Sequence, residues 1–318
     1  MRKILLFILA LIFVQFLFAQ QLPQISMRQN NLLLNNPAVA GSTVSKDIKL
    51  LHRAQWVGFE DAPVTSVISF HSELSKTNGV GGYIINDITG PTSRFIVNAS
   101  YAYIIDMDKM FLSFGLSAEL MQYRLHGNSL TYSDLADPTM NFNSERKWRP
   151  EANFGMLLYN DRFYAGFAVN QIIKSEFRPY SANDFGEIEM ARHIYLMGQY
   201  DFLVNTHRIS PSLFMGYAKS SPISADINVA WLYNNSLGAS LGYRVGDAIS
   251  ILAGYRFSRF YLAYSYDIVT SQLRTVNSGS HEVMLSFDIS PQQRVNTPMF
   301  SSGNTAKAYR RQSGKRAF

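Results

Sequence analysis

The sequence predicts an all-β fold, namely a transmembrane antiparallel β-barrel of the outer-membrane kind with about 14 strands. Three observations lead to this prediction. Many segments alternate apolar with small or polar residues at a period of two, which is typical of strands. Charged residues make up only 16% of the chain and aromatic residues 14%, which suits a surface that faces lipid. The chain also begins with a secretion signal pattern. A soluble β-sandwich alternates as well and remains the alternative at this point.

Residues 1–19 are predicted to be a signal peptide, because Arg2 and Lys3 precede an apolar run from Ile4 to Phe18 that ends at Ala19. The run is short for a membrane-spanning helix. The chain contains no cysteine, which excludes disulfides, thiolate metal sites and a bacterial lipid anchor on cysteine. No later run is apolar and long enough for a transmembrane helix. A barrel is therefore the only predicted way for this chain to cross a membrane.

Residues 20–46 are polar and irregular, and we expect them to form a periplasmic or plug-like segment before a barrel at 47–290. Within the barrel, alternation is clear in the last strands, where Ile251 and Leu285 are predicted to face outward and Leu252 and Met284 inward. The predicted strands lie at about 48–53, 64–74, 79–87, 94–105, 109–123, 151–160, 162–172, 191–202, 209–219, 223–233, 236–245, 248–257, 260–268 and 280–290.

The connections between these segments differ in length in an ordered way. Those after even-numbered strands are all short, whereas the long ones, at about 54–63, 124–150, 173–190 and 269–279, follow odd-numbered strands. Outer-membrane barrels have short periplasmic turns and longer outer loops, so this ordering favours a barrel whose two ends start and finish in the periplasm.

The tail 291–318 is predicted to be disordered and periplasmic, since it lacks apolar periodicity. It carries six Lys and Arg residues and no acid. Removing this +6 and the +2 of Arg2 and Lys3 from the net charge of +6 leaves −2 for the remainder, so the body is not a polyanion-binding surface. Two interpretations of the tail remain. It is either a solvated terminus or a basic arm that binds an acidic partner or lipid headgroups.

Catalytic and cofactor motifs are absent from the sequence. It has no H-E-x-x-H zinc pattern, no G-x-S-x-G elbow, no phosphate-binding loop and no dinucleotide fingerprint. His281 and Glu282 are adjacent in a predicted strand and point to opposite faces, which disfavours them as an acid–base pair. We expect a protein that is not an enzyme and that needs no metal or cofactor.

Two stretches near the start are informative, Asn36-Pro37-Ala38-Val39-Ala40-Gly41 and the segment 53–65, which reads RAQWVGFEDAPVT. Trp, Gly, Pro, Arg and Gln within so few residues indicate a defined loop. Either the loop is a packed corner whose Trp fills the barrel mouth, or it binds another protein. The candidate partner-binding residues are Asn36, Pro37, Gly41, Arg53, Gln55, Trp56, Gly58, Pro63, His281 and Glu282.

At these residues the chain resembles the PorP/SprF family of Bacteroidetes outer-membrane proteins. The resemblance includes the final strand motif Gly279-Ser280-His281-Glu282-Val283-Met284-Leu285-Ser286 and a middle hairpin around Asn153-Phe154-Gly155 and Tyr159-Asn160-Asp161. It covers roughly 22–290, and the basic tail lies outside it.

The resemblance implies an outer-membrane component of type IX protein secretion that supports export or surface attachment of cargo proteins. In gliding members of the phylum this cargo includes adhesins. It also implies partners, namely the secretion machinery, a periplasmic peptidoglycan-associated protein and cargo with a C-terminal signal, and it brings no catalytic residues. A general porin or solute channel is the alternative. A lumen poor in Lys and Arg is expected to count against the porin.

Overall fold

The structure is a computed structural model that describes residues 24–43, 46–126, 145–173, 176–177, 188–189, 191–219 and 221–290. The predicted signal peptide 1–19 and the predicted disordered tail 291–318 lie outside these residues. Among the residues described, no helix reaches the length and apolarity needed to cross a membrane.

Fourteen antiparallel strands close into a barrel, as the sequence predicts. Each strand pairs with its neighbours in sequence, and the first strand pairs with the last, for example through Leu50 and Leu285. We number the barrel strands in chain order: β1 Asp47–Ala54, β2 Val64–Ser75, β3 Asn78–Thr89, β4 Thr92–Asp106, β5 Phe111–Leu125, β6 Glu145–Tyr159, β7 Phe163–Asn170, β8 His193–Tyr200, β9 His207–Ala218, β10 Ser224–Tyr233, β11 Leu237–Arg244, β12 Ala248–Phe257, β13 Phe260–Val269 and β14 Ser280–Asp288.

Three short strands lie outside this series. Phe202–Val204 continues the course of β8 after a break at Asp201 and pairs with β9. Glu176–Phe177 and Ile188–Glu189 pair with each other in the connection between β7 and β8. Three turns of 3₁₀ helix, at Arg28–Asn30, Leu32–Leu34 and Pro37–Val39, precede β1.

The two ends of the barrel differ. The connections 55–63, 126–144, 171–192 and 270–279 all lie at one end, here called the long-loop end. The other end, the short-turn end, has connections no longer than 201–206 and also holds the start of β1 and the finish of β14. The difference matches the predicted ordering of loop lengths. One boundary was wrong, because β6 begins at Glu145 and not near residue 151, and it pairs with β5 out to Leu125.

The alternation of side chains follows the prediction. Ile251 is 49% exposed on the outer surface, whereas Leu252 and Met284 are buried in the lumen. Large apolar side chains cover the outer surface on every side of the barrel, as lipid contact requires.

The expectation of a lumen poor in Lys and Arg was wrong, because Arg53, Arg208 and Arg244 are buried there. Each of them is paired with a carboxylate, which is how buried charge is accommodated.

Candidate functional site

The lumen is filled by residues 24–43, which we call the plug. Met27, Asn36 and Ala38 are fully buried, and Leu33 is 2% exposed. Ser26 contacts side chains near the long-loop end, and Gly41 packs on Gly79 at the short-turn end. The chain therefore passes through the lumen from the long-loop end to the short-turn end before β1 begins. The plug belongs to the segment 20–46, for which the sequence predicts a periplasmic or plug-like role.

At the short-turn half, glycines of the wall form a groove for the Asn36–Gly41 motif. A Cβ atom at Gly115 would overlap with the backbone of Pro37 and Ala38, and one at Gly155 would overlap with the Asn36 side chain. Glycine is required at these wall positions because the plug approaches the wall backbone closely, with its own backbone at Gly115 and with the Asn36 side chain at Gly155. The middle hairpin motif and the early motif of the sequence are therefore in direct contact.

Asn36 makes one hydrogen bond within the plug and two that fix the plug in this groove. Its Oδ1 accepts from the Ala38 amide at 2.9 Å and so caps the third 3₁₀ turn. Its Nδ2 donates to the carbonyl of Met156 at 3.0 Å and to that of Phe167 at 3.4 Å, on β6 and β7. The Ser113 hydroxyl donates to the Ala38 carbonyl at 2.8 Å. Gly41 follows with φ of +67°, a backbone conformation that favours glycine.

At the long-loop half, buried charges hold the other end of the plug. Arg53 is 1% exposed and donates to Glu282 at 3.0 Å, to Asp267 at 2.8 Å and to the Ser26 hydroxyl at 2.9 Å. Glu282 in turn accepts from the amides of Ser26 at 2.8 Å and Met27 at 2.9 Å. Arg53 and Glu282 face each other directly across the seam between β1 and β14 that closes the barrel.

A second arginine extends this network towards β10 and β11. Arg244 pairs with Asp226 at 3.0 Å and with Asp247 at 3.0 Å, and it donates to Ser26 at 3.2 Å. The plug residue Arg28 reaches the other Asp226 oxygen at 3.0 Å and lies over the Phe214 ring. Nothing in the sequence motifs singled out Arg28, Arg244 or their carboxylates. For Arg244 and Asp226 the signal in the sequence was charge at inward-facing strand positions, whereas Arg28 and Asp247 lie outside the strands and gave no such signal.

The loop after β1 lies at the barrel mouth and is tied to the loop before β14. Val57 and the 278–279 segment exchange two backbone hydrogen bonds, at 2.7 and 2.8 Å, and the Trp56 amide donates to the Ser280 hydroxyl at 3.1 Å. Gly58 lies against the Ser278 side chain with φ of +92°. The Gln55 amide donates to the Pro63 carbonyl at 2.9 Å, which closes the loop.

A cavity of about 580 Å³ opens above the plug at the long-loop end. Gln55, Trp56 and Pro63 line one side of it, Arg94 and Tyr123 another, and Gln24 of the plug contributes to it as well. Trp56 is half-buried, so it belongs to the mouth and not to a closed core.

His281 differs from the other candidate residues because it lies on the outer surface. Its Nδ1 is 2.6 Å from the Tyr264 hydroxyl, and its ring packs near Tyr266. Glu282, the next residue, is fully buried in the lumen. The structure thus brings nine of the ten candidates to the plug, the seam or the mouth, and it separates His281 from them.

This fold and this lumen define a class of protein, a transmembrane β-barrel whose pore is occupied by its own N-terminal segment. The chain matches the family described as type IX secretion system membrane protein PorP/SprF over residues 17–287. It belongs to this family, and membership together with the barrel fold assigns it to type IX secretion and points to the outer membrane. A comparison with curated proteins gave no match.

Among solved structures, the chain is similar in outline to several barrels at low identity. It shares 12% identity with the CymD monoaromatic hydrocarbon channel, covering 85% of this chain and 94% of that one, with a TM-score of 0.47. It shares 10% identity with the Pseudomonas putida toluene transporter TodX, covering 81% of this chain and 91% of that one, with a TM-score of 0.43. It shares 10% identity with CdiB from Acinetobacter baumannii, with a TM-score of 0.43. That match covers 76% of this chain but 59% of CdiB, so this chain spans little more than half of that protein. No functional argument follows from similarities of this size.

Proposed function

We propose that the protein is a non-enzymatic outer-membrane component of type IX secretion that supports export or surface attachment of cargo proteins such as adhesins. Membership of the PorP/SprF family carries this proposal. In outer-membrane barrels the longer loops face the outside, so the long-loop end is assigned to the cell surface and the short-turn end to the periplasm. A signal peptide at 1–19 accounts for passage through the inner membrane.

The filled lumen supports action through surfaces and not through conduction of solutes. A general porin, the alternative function, needs a continuous water-filled path. Here the plug contacts the lumen wall at both halves of the barrel. At the long-loop half it does so through the Arg28–Asp226 ion pair and the amide hydrogen bonds to Glu282, and at the short-turn half through the wall glycines. A large steady single-channel conductance from the purified protein would favour the porin.

The mouth around Trp56 is the surface proposed to contact secretion partners or cargo. Trp and Arg are frequent in the parts of interfaces that contribute most to binding. Trp56 and Gln55 face an open cavity at the proposed cell-surface end. The loop that holds them is tied down by the hydrogen bonds that the Val57 amide donates to the Gly279 carbonyl and the Ser278 amide donates to the Val57 carbonyl. Such a preorganised loop loses little conformational entropy on binding.

Deletion of the gene tests the proposal. The secreted and surface proteins of the deletion strain are compared with those of the parent, and one or more cargo proteins are expected to be lost from the surface. Expression of Trp56→Ala should then restore the barrel but not the cargo. Phe257→Ala, which removes an exposed ring at the opposite end, is the matched control and should restore both.

Heat-modifiable migration on gels shows whether each variant has inserted as a barrel. A Trp56→Ala protein that inserts and restores full surface cargo would remove the mouth from the proposal. A deletion strain with unchanged secreted and surface proteins would contradict the secretion role itself.

A further inference from the structure

The outward faces of the barrel strands carry almost no charge. Among the described strands, Arg124 on β5 and Arg146 on β6 are the only Lys or Arg residues on outward-facing rows. The others, such as Lys49 and Arg256, alternate into the lumen. No Asp or Glu whose side chain the structure describes lies on an outward row. Along the described strands, these two cations therefore lie on outward rows that are otherwise apolar, aromatic or neutral.

These two arginines are direct neighbours. Arg124 and Arg146 are opposite each other in the register of β5 and β6. Like charges placed directly opposite on neighbouring strands destabilise a sheet unless something of opposite charge lies between them. Arg124 Nε is shielded from solvent and has no hydrogen-bond partner in the part of the chain that the structure describes.

A third nitrogen-bearing group stands beside them. His126 is the next outward position on β5, just past the end of the strand, and its Nε2 is 3.2 Å from the Ser93 hydroxyl. Partial desolvation, followed by the charges of Arg124 and Arg146, lowers the pKa of His126 below its ordinary value. The cluster thus presents positive charge towards lipid without a carboxylate from the described part of the protein.

The position of Arg124 and Arg146 along the membrane normal follows from strand geometry. From Leu112 to Gln122 the outward side of β5 advances ten residues, which at about 3.3 Å per residue and a tilt of about 40° spans about 25 Å of membrane thickness. Trp148, 46% exposed, and Phe95 lie in the same row as Gln122 with ring centroids 6.5 Å apart. Aromatic side chains mark the membrane interface in barrels. Arg124 lies one outward position further, about 5 Å above.

We infer that Arg124 and Arg146 together bind the phosphate of an anionic lipid headgroup in the outer leaflet. Guanidinium groups match phosphate oxygens in two-pronged hydrogen bonds, and a phosphate between the two arginines cancels their repulsion. The acyl chains of such a lipid would lie along Leu120 and Pro150, which are outward-facing below the pair. The inference rests on the outer-membrane location and the orientation proposed above.

Binding of lipid A to the purified full-length protein in neutral detergent tests this inference. Dephosphorylated lipid A and inorganic phosphate serve as comparison ligands, and native mass spectrometry with titration gives the affinities. Each of Arg124→Gln and Arg146→Gln is expected to weaken lipid A binding about fivefold, and the double variant about thirtyfold. Lys219→Gln, which removes an exposed cation just past β9 at the same end of the barrel, is the control and should bind as the unaltered protein does.

Thermal stability provides a second readout. If the two arginines had a merely structural role, the double variant would be less stable than the unaltered protein in the absence of lipid. Without phosphorylated lipid, the double variant should be at least as stable as the unaltered protein, because a like-charge contact is gone. With lipid A, the unaltered protein should be stabilised more than the variant. Equal affinity of the double variant and the unaltered protein for lipid A would overturn the inference. Equal binding of dephosphorylated lipid A, or of inorganic phosphate at the same concentration, would overturn it as well. None of these measurements depends on secretion.

Discussion

Replacement of Arg53 by Met should release the long-loop half of the plug while the barrel stays closed. Met has a similar length but no charge, so the change leaves Asp267 and Glu282 buried without their shared cation. The side chains of Arg53 and Asp267 are each 2% exposed and that of Glu282 is 0% exposed, which excludes solvation of the remaining carboxylates in place.

The magnitude follows from the contacts that remain. Removal of one partner from a buried ion pair costs about 3–5 kcal/mol. Glu282 keeps its two amide donors from the plug, and Asp267 keeps the Ser26 hydroxyl at 2.6 Å and Arg244 at 3.7 Å. We therefore expect the lower limit, about 3 kcal/mol, which corresponds to about 150-fold in the equilibrium between docked and released plug.

Hydrogen–deuterium exchange of the Ser26 and Met27 amides measures this equilibrium, because both amides donate to Glu282 only when the plug is docked. Their exchange should accelerate by about two orders of magnitude in the variant. Arg208→Met is the matched control. It breaks a buried pair with Asp201 at 3.3 Å at the short-turn end and should lower barrel stability without changing exchange at Ser26.

The double variant Arg53→Met, Glu282→Gln separates the ion pair from simple loss of packing. Since it removes one charge of each sign, it should cost less than the sum of the two single variants. Unchanged amide exchange in Arg53→Met, with the barrel intact, would refute the view that these buried charges hold the plug.

Further predictions concern the wall, the membrane face and the topology. Gly115→Leu should expel the Asn36–Gly41 segment from its groove and raise single-channel conductance, because the new side chain occupies the space of the plug backbone; unaltered conductance would contradict the groove. Ile251→Arg should lower the free energy of unfolding by about 2–4 kcal/mol near the bilayer midplane, whereas Phe257→Arg near the strand end should cost about 0–1 kcal/mol; equal costs would contradict the membrane depth assigned to β12. A tag in 126–144 should be accessible on intact cells and one in 291–318 should not, and the reverse pattern would invert the proposed orientation.

The sequence by itself determined the local and periodic features. Strand positions, inward and outward faces and the unequal ends follow from it, because alternation at a period of two and the lengths of connections are properties of neighbouring residues. Ile251 outward and Leu252 inward are examples that the structure confirms. Nine of the ten motif residues lie at the plug, the seam or the mouth, and His281 lies on the outer surface. Their role in partner binding stays a prediction.

Tertiary structure alone decided which residues that are distant in the chain meet across the barrel seam and the lumen. Arg53 meets Glu282, 229 residues away, only because β1 closes on β14, and alternation states which face a residue occupies but not which wall it meets across the lumen. The early start of β6 was missed because three of the four residues 146–149 are charged and the segment lacks apolar alternation. Pairing with β5, and not local propensity, makes this segment a strand. The polar, irregular sequence of residues 20–46 left a periplasmic and a plug-like segment both open. The choice depends on wall groups that are distant in the chain, such as those that accept hydrogen bonds from Asn31 and Asn36.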